Sequence, residues 1–311
     1  MGQLVDGKWH TGWYAPSKEG AFERPATVFR EKELKAEAGR YHLYASYACP
    51  WAHRILIMRS LLGLEDAVGV TIVAAKMGDD GWTFDGEDGD PDVLHGAAFL
   101  RDVYTRANPE YTGRVTVPVL WDKERDTIVN NESRELMRLF DTQLAPLGKS
   151  AVRLVTSGNM AAVDAMIDAN YDAFNNGVYR AGFAASQEAY ELACKDVFAT
   201  LARCESILAG QRYLCGAELT EADIAFFTTC LRFDLVYYAH FKCNIRRLQD
   251  HPNVWGFLKD LYQRPEIQKT CRLDHIKTHY YWSQTTVNPH RVVPLGPLID
   301  LEGKHDRARF G

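Results

Sequence analysis

Tyr41-His-Leu-Tyr-Ala-Ser-Tyr-Ala-Cys49-Pro-Trp-Ala-His-Arg-Ile-Leu-Ile-Met58 is the stretch that decides the fold. Its first part, Tyr41–Ser46, is rich in aromatic and apolar residues and predicts a short strand. Pro50 suits the first position of a helix, where its missing N–H costs nothing. The apolar residues that follow recur at helical spacing. Cys49 is therefore predicted to lie where a strand leads into the N-terminus of a helix.

This position makes Cys49 a candidate nucleophile. Free backbone N–H groups and the helix dipole favour a thiolate, and such sites lower the pKa of a cysteine thiol from about 8.5 to roughly 3.5–7.5. A lone cysteine before a helix is more often a small buried apolar residue, but the strand, turn, Cys-Pro pair and helix together favour a reactive thiol. Since Ala52 replaces a second cysteine, the chemistry requires a mixed disulfide with an outside thiol.

Length and composition limit the class of protein. The 311 residues are enough for two domains, and 46% hydrophobic with 25% charged residues is typical of a soluble globular protein. A net charge of −5 without a basic tract argues against nucleic acid as a partner. The sequence shows neither a membrane span nor a secretory signal, and its seven cysteines are an odd count at irregular spacing. We expect a cytoplasmic protein.

The order of predicted elements indicates two domains. Strand, helix and strand, the second strand being Val68–Ala75, form a βαβ unit, and a loop with a helix, two strands and a helix follow. This order is that of the thioredoxin-like fold and predicts an α/β domain over 39–143. Beyond a linker the β signals fade, and an all-α domain is predicted over 150–311. Residues 1–38 lack periodicity and predict an irregular N-terminal arm.

Two helices of the second half carry specific predictions. Val152–Asn170 has apolar residues at helical spacing over its whole length. Thr220 and Asp223 stand at the N-cap and third positions of a later helix, in a variant of the capping box. Asp223 is therefore predicted to be structural.

The residues around Cys49, Ser-Tyr-Ala-Cys-Pro-Trp-Ala-His-Arg, resemble the active-site signature of the Xi-class glutathione transferases, the glutathionyl-hydroquinone reductases. Omega-class transferases and glutaredoxins resemble it more distantly. Other similar segments are Gly-Trp-Tyr at 12–14, Val-Tyr-Arg-Ala-Gly-Phe at 178–183, Arg-Phe-Asp-x-Val-Tyr at 232–237, His-Phe-Lys-Cys-Asn at 240–244, His-Tyr-Tyr at 279–281 and Pro-Leu-Gly-Pro at 294–297. The resemblance spans most of the chain. It implies a thioredoxin-like glutathione-binding domain, a helical glutathione-transferase domain and a homodimer.

The resemblance also assigns glutathione-binding residues. Trp82 lies in a polar loop, where a tryptophan either anchors the loop or lines a site; the resemblance favours a glutathione contact. Only about 5–6% of X–Pro bonds are cis, but the matching position implies a cis Val117–Pro118 bond beside the glutathione peptide. Glu132 and Ser133 are ordinary helix-capping residues, and the same physics allows them to hold the charged γ-glutamyl end of glutathione.

Tyrosines of the second domain are implied to bind the hydroquinone oxygens. The matching segments place Tyr179 and Tyr280 in this role, and Tyr237 with less support. From the residues alone, each is equally well read as a core or interface ring whose hydroxyl is hydrogen-bonded. The resemblance therefore implies Cys49, Tyr179 and Tyr280 as catalytic residues.

The expected activity is glutathione-dependent reduction of a glutathionyl-hydroquinone through a Cys49–glutathione mixed disulfide, with release of hydroquinone and glutathione disulfide. Two alternatives stay open. An omega-like thiol transferase or dehydroascorbate reductase would use Cys49 without the quinone step, and a non-catalytic member of the fold would only bind glutathione. Glutathione is expected as co-substrate.

No metal is expected. His275 and His279 are four residues apart, but no glutamate follows His275 and no third ligand is evident. The acidic loop over 76–98 lacks the spacing of an EF-hand. Arg24 and Arg30, in or near the N-terminal arm, have side chains long enough to reach an anionic ligand, but no role is assigned to either.

Overall fold

The computed structural model describes residues 2–12, 17–22 and 26–311. Its strands are β1 Gly2–Val5, β2 Lys8–Thr11, β3 Tyr41–Ala45, β4 Gly69–Ile72, β5 Gly113–Arg114, β6 Val119–Asp122 and β7 Thr127–Asn130. Its α-helices are α1 Pro50–Leu61, α2 Leu100–Ala107, α3 Ser133–Leu139, α4 Met160–Asn170, α5 Gly177–Gly182, α6 Gln187–Gly210, α7 Glu221–Arg232, α8 Pro252–Tyr262, α9 Pro265–Gln268 and α10 Leu273–Ser283. Short π-helical turns continue α3, α4 and α7.

The central sheet has four strands in the order β4-β3-β6-β7. The β3–β4 pair is parallel, and β6 pairs antiparallel with β3 and with β7. Leu43, Ile55 and Leu120 are fully buried between sheet and helices, and each such side chain stabilises the fold by about 1.5–3 kcal/mol. The sheet and α1 together present Cys49 at one end of the strands.

The prediction of an irregular arm over 1–38 is wrong at its start. Residues Gly2–Val5 and Lys8–Thr11 form an antiparallel hairpin, and β1 also pairs with β5. Asp6 and Gly7 have positive φ of 48° and 72°, the conformation of a two-residue hairpin turn that favours Asp-Gly. This Asp-Gly pair was the signal for the hairpin.

Two element bounds also differ from expectation. The ladder of the predicted strand Val68–Ala75 is limited to Gly69–Ile72. The predicted helix Val152–Asn170 begins only at Met160, because the Asp141 carboxylate accepts bonds of 2.8–3.2 Å from the N–H groups of Leu154 and Val155. This tertiary anchor holds the preceding segment extended.

The second half of the chain is helical. The predicted capping box before α7 is confirmed: the Asp223 carboxylate accepts bonds of 2.8 Å from both N–H and hydroxyl of Thr220 and one of 2.7 Å from the N–H of Leu214. All seven cysteines lie in the described part of the chain, and none forms a disulfide. Within the described residues, every helix is too short or too polar to cross a membrane. The predicted domain bounds stay predictions.

Candidate active site

Cys49 is the N-cap residue of α1. Its backbone is extended, with φ −76° and ψ 121°, and Pro50 opens the helix as predicted. The side chain is half-buried, with Sγ 3.7 Å from the Val117 carbonyl oxygen. The thiol therefore stands at the positive end of a buried helix and beside the loop that leads into β6.

The Val117–Pro118 peptide bond is cis, so the sequence prediction of that isomer is confirmed. Val117 is buried, and β6 begins directly after Pro118. The loop thus turns the Val117 carbonyl toward Cys49 at the end of the strand.

A cleft of about 660 Å³ opens at Cys49. The predicted residues Trp82, Val117, Tyr179 and Tyr280 also line it. Residues that the sequence analysis did not assign to it are Gly2, Phe22, Trp51, Arg114, Val115, Thr116, Phe183, His279 and Gln284. The cleft therefore joins one cysteine with aromatic side chains of both halves of the chain.

The tyrosine hydroxyls form a connected group. Tyr280 Oη lies 2.5 Å from Tyr179 Oη and 3.0 Å from Tyr237 Oη. Burial, with the neighbouring phenols, raises the pKa of Tyr237 and of Tyr280 well above the ordinary tyrosine value, so both stay protonated at neutral pH. Tyr237 is fully buried and reaches the cleft through Tyr280.

A glycine allows this cluster to pack closely. A Cβ atom on Gly182 would lie 2.2 Å from the ring of Phe241, far inside van der Waals contact. Phe241 stacks on Tyr237 at 5.4 Å and also contacts the rings of Tyr179 and Tyr280. The segment Val-Tyr-Arg-Ala-Gly-Phe thus supplies both a tyrosine and the space behind it.

Trp82 is buried and stacks on His279, with ring centroids 4.6 Å apart. His279 Nδ1 donates to the Ala75 carbonyl oxygen at 2.9 Å, and burial lowers the pKa of His279 to about 4. The imidazole is therefore neutral, with Nε2 as its acceptor atom. The sequence pattern suggested His279 only as a metal ligand. Its contacts are with Ala75 and Trp82, about 200 positions away, so no local signal marked its place in the cleft.

His275 does not join His279. Its Nε2 lies 3.7 Å from the Asp88 carboxylate, and its ring contacts Tyr47. Within the described residues, no three histidine, cysteine or acidic side chains are grouped as a metal would require. In the acidic loop, Asp85 instead caps the N–H groups of the residues that follow it.

A second cavity of about 1240 Å³ adjoins the cleft. The predicted glutathione-binding residues Val117, Pro118, Glu132 and Ser133 line it. Glu132 is the N-cap of α3 and accepts a 3.3 Å bond from the N–H of Arg134. A ligand in this cavity would meet the N-terminus of α3, the Glu132 carboxylate and the backbone at Val117, just before β6.

The two cavities meet at four shared lining residues, Trp51, Arg114, Thr116 and Val117. Arg114 donates to the Gly2 and Gly12 carbonyl oxygens, at 3.2 and 2.9 Å, which fastens the N-terminal hairpin to this boundary. Arg30 lines the second cavity and pairs with Glu135. Arg24 and the Trp13-Tyr14 pair lie outside the described residues.

The arrangement suits transfer of a thiol-bearing peptide. A peptide in the second cavity can extend past Val117 and place a sulfur atom near Cys49. An aromatic group bonded to that sulfur would then enter the cleft beside the tyrosine hydroxyls. The Cys49 thiol, the cavity that would hold the peptide and the tyrosine hydroxyls thus border one continuous space.

Comparison with known proteins agrees with this geometry. The family "Glutathione S-transferase, N-terminal domain" matches residues 48–143, and "Glutathione S-transferase, C-terminal domain" matches residues 187–260. The chain is 48% identical to glutathionyl-hydroquinone reductase YqjG of Escherichia coli, over 100% of both chains. It is 46% identical to glutathionyl-hydroquinone reductase PcpF of Sphingobium chlorophenolicum, over 97% of this chain and 98% of the other.

Solved structures give the same result. The Xi-class transferase from Natrialba magadii superimposes with a TM-score of 0.95 at 50% identity, covering 99% of this chain and 98% of that one. The glutathione-bound structure of YqjG from Escherichia coli superimposes with a TM-score of 0.89 at 48% identity, covering 99% of each chain. The predicted combination of a thioredoxin-like and a helical transferase domain is thereby confirmed.

Proposed function

The chain belongs to the glutathione S-transferase family, within its Xi class, and on that basis we propose that it reduces glutathionyl-hydroquinones to hydroquinones with glutathione as co-substrate. The observation that carries the proposal is the shared space of Cys49, Tyr179 and Tyr280. A transferase that only exchanges thiols needs the cysteine and the peptide cavity, but not a group of hydroxyls opposite the thiol.

Glutathione occupies the second cavity in this account. Glu132 pairs with the γ-glutamyl ammonium, and the N–H groups at Ser133 bind its carboxylate. The Val117 backbone pairs with the peptide, and Trp82, which lines the cleft, packs on the part of the peptide that reaches Cys49. These contacts fix the glutathione sulfur against Cys49, which lowers the entropic part of the barrier.

The first step is attack by the Cys49 thiolate on the glutathione sulfur of the substrate. A disulfide bond forms between the two sulfur atoms as the sulfur–carbon bond to the ring breaks. The ring carbon leaves with the bonding electron pair and takes up one proton, which yields hydroquinone. Cys49 retains glutathione as a mixed disulfide.

The tyrosines act on the aromatic part. Tyr179 and Tyr280 hold the phenolic oxygens, and the protonated hydroxyl of Tyr280 is suited to donate a proton as charge develops on the ring. Tyr237 does not touch the substrate. Its hydroxyl is hydrogen-bonded to the hydroxyl of Tyr280 and so fixes the position of that group.

The second step restores the enzyme. A second glutathione, as thiolate, attacks the glutathione sulfur of the mixed disulfide and releases glutathione disulfide with the Cys49 thiolate. Each turnover thus consumes one free glutathione and yields one hydroquinone and one glutathione disulfide. The protein itself undergoes no net oxidation.

The test is turnover of a glutathionyl-hydroquinone by the wild type and Cys49→Ala, with both products counted. We expect equal amounts of hydroquinone and glutathione disulfide from the wild type and none above background from the variant. Reduction of a simple glutathione mixed disulfide, without hydroquinone release, would instead identify an omega-like thiol transferase. Glutathione binding without either reaction would identify a binding module.

We further propose a homodimer in the cytoplasm. The dimer follows from the family resemblance, and sedimentation of the purified protein measures it directly. The location is supported by seven cysteines outside disulfides and by the need for reduced glutathione, both of which fit a reducing compartment.

A further inference from the structure

Two buried arginines join α1, whose N-cap is Cys49, to α7. Arg54, on α1, donates to the Ala225 carbonyl oxygen of α7 at 3.3 Å. Arg232, on α7, donates to the carbonyl oxygens of Ala48 at 2.8 Å and Tyr47 at 2.8 Å, immediately before α1. The contacts are reciprocal: α1 supplies an arginine that donates to a carbonyl oxygen of α7, and α7 supplies an arginine that donates to the carbonyl oxygens just before α1.

Arg232 is anchored so that it has little freedom. Its Nη1 donates to the Thr228 carbonyl oxygen at 2.6 Å and lies 3.3 Å from His53 Nδ1. A guanidinium can only donate, so Nδ1 is the acceptor and His53 Nε2–H donates to Thr270 Oγ1 at 2.9 Å. Burial, with Arg232 second, lowers the pKa of His53 well below the ordinary histidine value, which keeps it a neutral acceptor.

The two guanidinium groups are buried: Arg54 is 1% exposed and Arg232 fully buried. Among the described residues, neither forms an ion pair with a carboxylate, although the charge of Glu132 acts on Arg54 from a longer distance. Arg54 lies 4.4 Å over the ring of Trp51, and its Nε has no partner there. A buried cation is normally paired, so these two charges are available to an anion in the adjoining site.

Glu132 is one such anion, and the Cys49 thiolate is another. The Ala48 carbonyl held by Arg232 belongs to the peptide that carries the N–H of Cys49. Burial lowers the pKa of Arg54 to about 10, while the charges of Glu132 and Cys49 act in the opposite direction, so Arg54 stays charged at neutral pH. Cys49 therefore has one cation on its own helix and one across the interface.

The charged and titratable groups near Cys49 come from several elements. Arg114, Tyr179, His279 and Tyr280 line the cleft with Cys49, and Glu132 and Tyr171 line the adjoining cavity. Arg54 lies behind them on α1, and Arg232 on α7 contacts the backbone just before Cys49. His279 is neutral for the reason given above, and Glu132 supplies the single carboxylate of this group. The balance of charge around the thiol is positive and favours a thiolate.

We propose that Arg232, together with Arg54, is a positioning residue that holds the Tyr47–Ala48 backbone across the α1–α7 interface and stabilises the Cys49 thiolate by its buried charge. The helical half of the chain thus contributes to the reactivity of a cysteine in the other half. The inference rests on the proposed role of Cys49 as nucleophile.

The test is the pH dependence of Cys49 alkylation by iodoacetamide, followed on the Cys49 peptide by mass spectrometry without any substrate. We expect the midpoint to rise by about one pH unit in Arg232→Met, since a nearby opposite charge shifts a pKa by about 1–3 units. Arg232→Lys keeps the charge, so its midpoint is expected between those of Arg232→Met and the wild type.

Arg307→Met is the matched control. Arg307 is also fully buried and donates to backbone carbonyls, those of Leu208 and Arg212 at 2.8 Å, but it lines neither cavity. It is expected to lose thermal stability and keep the wild-type midpoint. A folded Arg232→Met with the wild-type midpoint would overturn the proposal.

Arg54→Met keeps the test decisive if Arg232→Met fails to fold. Its midpoint is expected to rise in the same direction, and wild-type midpoints in both Arg54→Met and Arg232→Lys would contradict the proposal. Alkylation does not depend on glutathionyl-hydroquinone turnover. A protein that shows the shift but releases no hydroquinone would therefore refute the proposed function and leave this inference intact.

Discussion

At the scale of single residues, the cleft is assembled from side chains that lie far apart in the chain. Cys49 comes from the start of α1, Trp82 from a loop, Tyr179 from α5 and Tyr280 from α10. These side chains need different environments: the thiol needs a positive helix end, and the Tyr280 phenol needs the burial that keeps it protonated. The fold supplies these environments within one space of about 660 Å³.

Tyr280→Phe tests the role of the hydroxyl group. We expect hydroquinone release to slow by about 100-fold or more, since a positioned general acid contributes about 10²–10⁴. Alkylation of Cys49 should be unchanged, because the ring remains. Tyr281→Phe is the matched control: this tyrosine is next in sequence, and its hydroxyl lies 3.5 Å from the Leu235 carbonyl, outside the cleft. Equal rates for both variants would exclude the proposed role.

Glu132→Gln tests the glutathione cavity. Loss of a charged hydrogen bond is worth about 1.5–3 kcal/mol, so we expect KM for the glutathionyl-hydroquinone to rise at least about tenfold with kcat changed much less. The amide retains an oxygen that can cap the Arg134 N–H. Glu188→Gln, an exposed first-turn residue of α6, serves as the control. An unchanged KM in Glu132→Gln would place the γ-glutamyl group elsewhere.

The sequence was informative for residues whose neighbours in the chain define their role. Cys49, Val117 and Glu132 stand at strand or helix ends, and the structure places all three on the cavities. His279 and Arg232 were not assigned a place in the site, because their contacts are with residues about 180 to 204 positions away. No local pattern encodes such long-range contacts.

At the scale of elements, α7 is central because it connects both halves of the chain. Its N-terminus is closed by the capping box of Thr220 and Asp223, and its C-terminal residue is Arg232. Anchoring the first turn therefore fixes the position of the residue that contacts the Cys49 backbone. Loss of the capping box is therefore expected to weaken the packing of α7 against α1.

Asp223→Asn is predicted to reduce the free energy of unfolding by about 2–4 kcal/mol, because buried bonds to a carboxylate are worth about 1.5–3 kcal/mol each and the amide keeps part of them. Asp102→Asn is the matched control, because Asp102 occupies the equivalent capping-box position in the first turn of α2. There it accepts a 3.1 Å bond from the N–H of Phe99 at the surface. Its cost should stay near 0.5–1 kcal/mol, at the low end for caps. Urea unfolding of both variants measures the difference, and equal losses would contradict the structural role of Asp223.

Elements with a strong local signal were predicted well. Pro50 was expected at the first position of a helix and opens α1, and the predicted capping box of Thr220 and Asp223 begins α7. The early start assigned to α4 failed because the Asp141 carboxylate binds the preceding backbone. That contact overrides an apolar pattern that was itself compatible with a helix.

At the scale of the whole molecule, burial of neutral histidines makes stability depend on pH. Burial lowers the pKa to about 4 for His42, His240 and His279, and well below the ordinary value for His53. The unfolded chain binds a proton at each of these sites below about pH 6.5. Their contribution to stability is therefore full above that pH and is lost as the pH falls toward 4.

Two buried carboxyl groups act in the opposite direction. Burial raises the pKa of Glu221 to about 7 and of Asp223 to about 6, so the folded state holds protons there that the unfolded state releases near pH 5.5. Burial also lowers the pKa of His95, His251 and His275 and raises the pKa of Asp141 and Asp234. The histidines that take up a proton on unfolding therefore outnumber the carboxyl groups that release one, and the free energy of unfolding should fall on acidification between about pH 6.5 and 4.5.

Urea unfolding at several pH values in this range measures the effect. A free energy of unfolding that is constant or rises on acidification would show that the carboxyl groups outweigh the histidines. His240→Gln, which removes one titrating site bonded to Gln284 at 2.9 Å, should make the dependence on pH less steep.

The central claim is that Cys49 carries glutathione as a covalent intermediate. Its most direct measurement is a single turnover: the wild-type protein is mixed with an equal amount of glutathionyl-hydroquinone in the absence of free glutathione. We predict release of one hydroquinone per active site and a glutathione adduct that peptide mapping locates at Cys49. Hydroquinone release without an adduct at Cys49, or no release until free glutathione is added, would contradict the account.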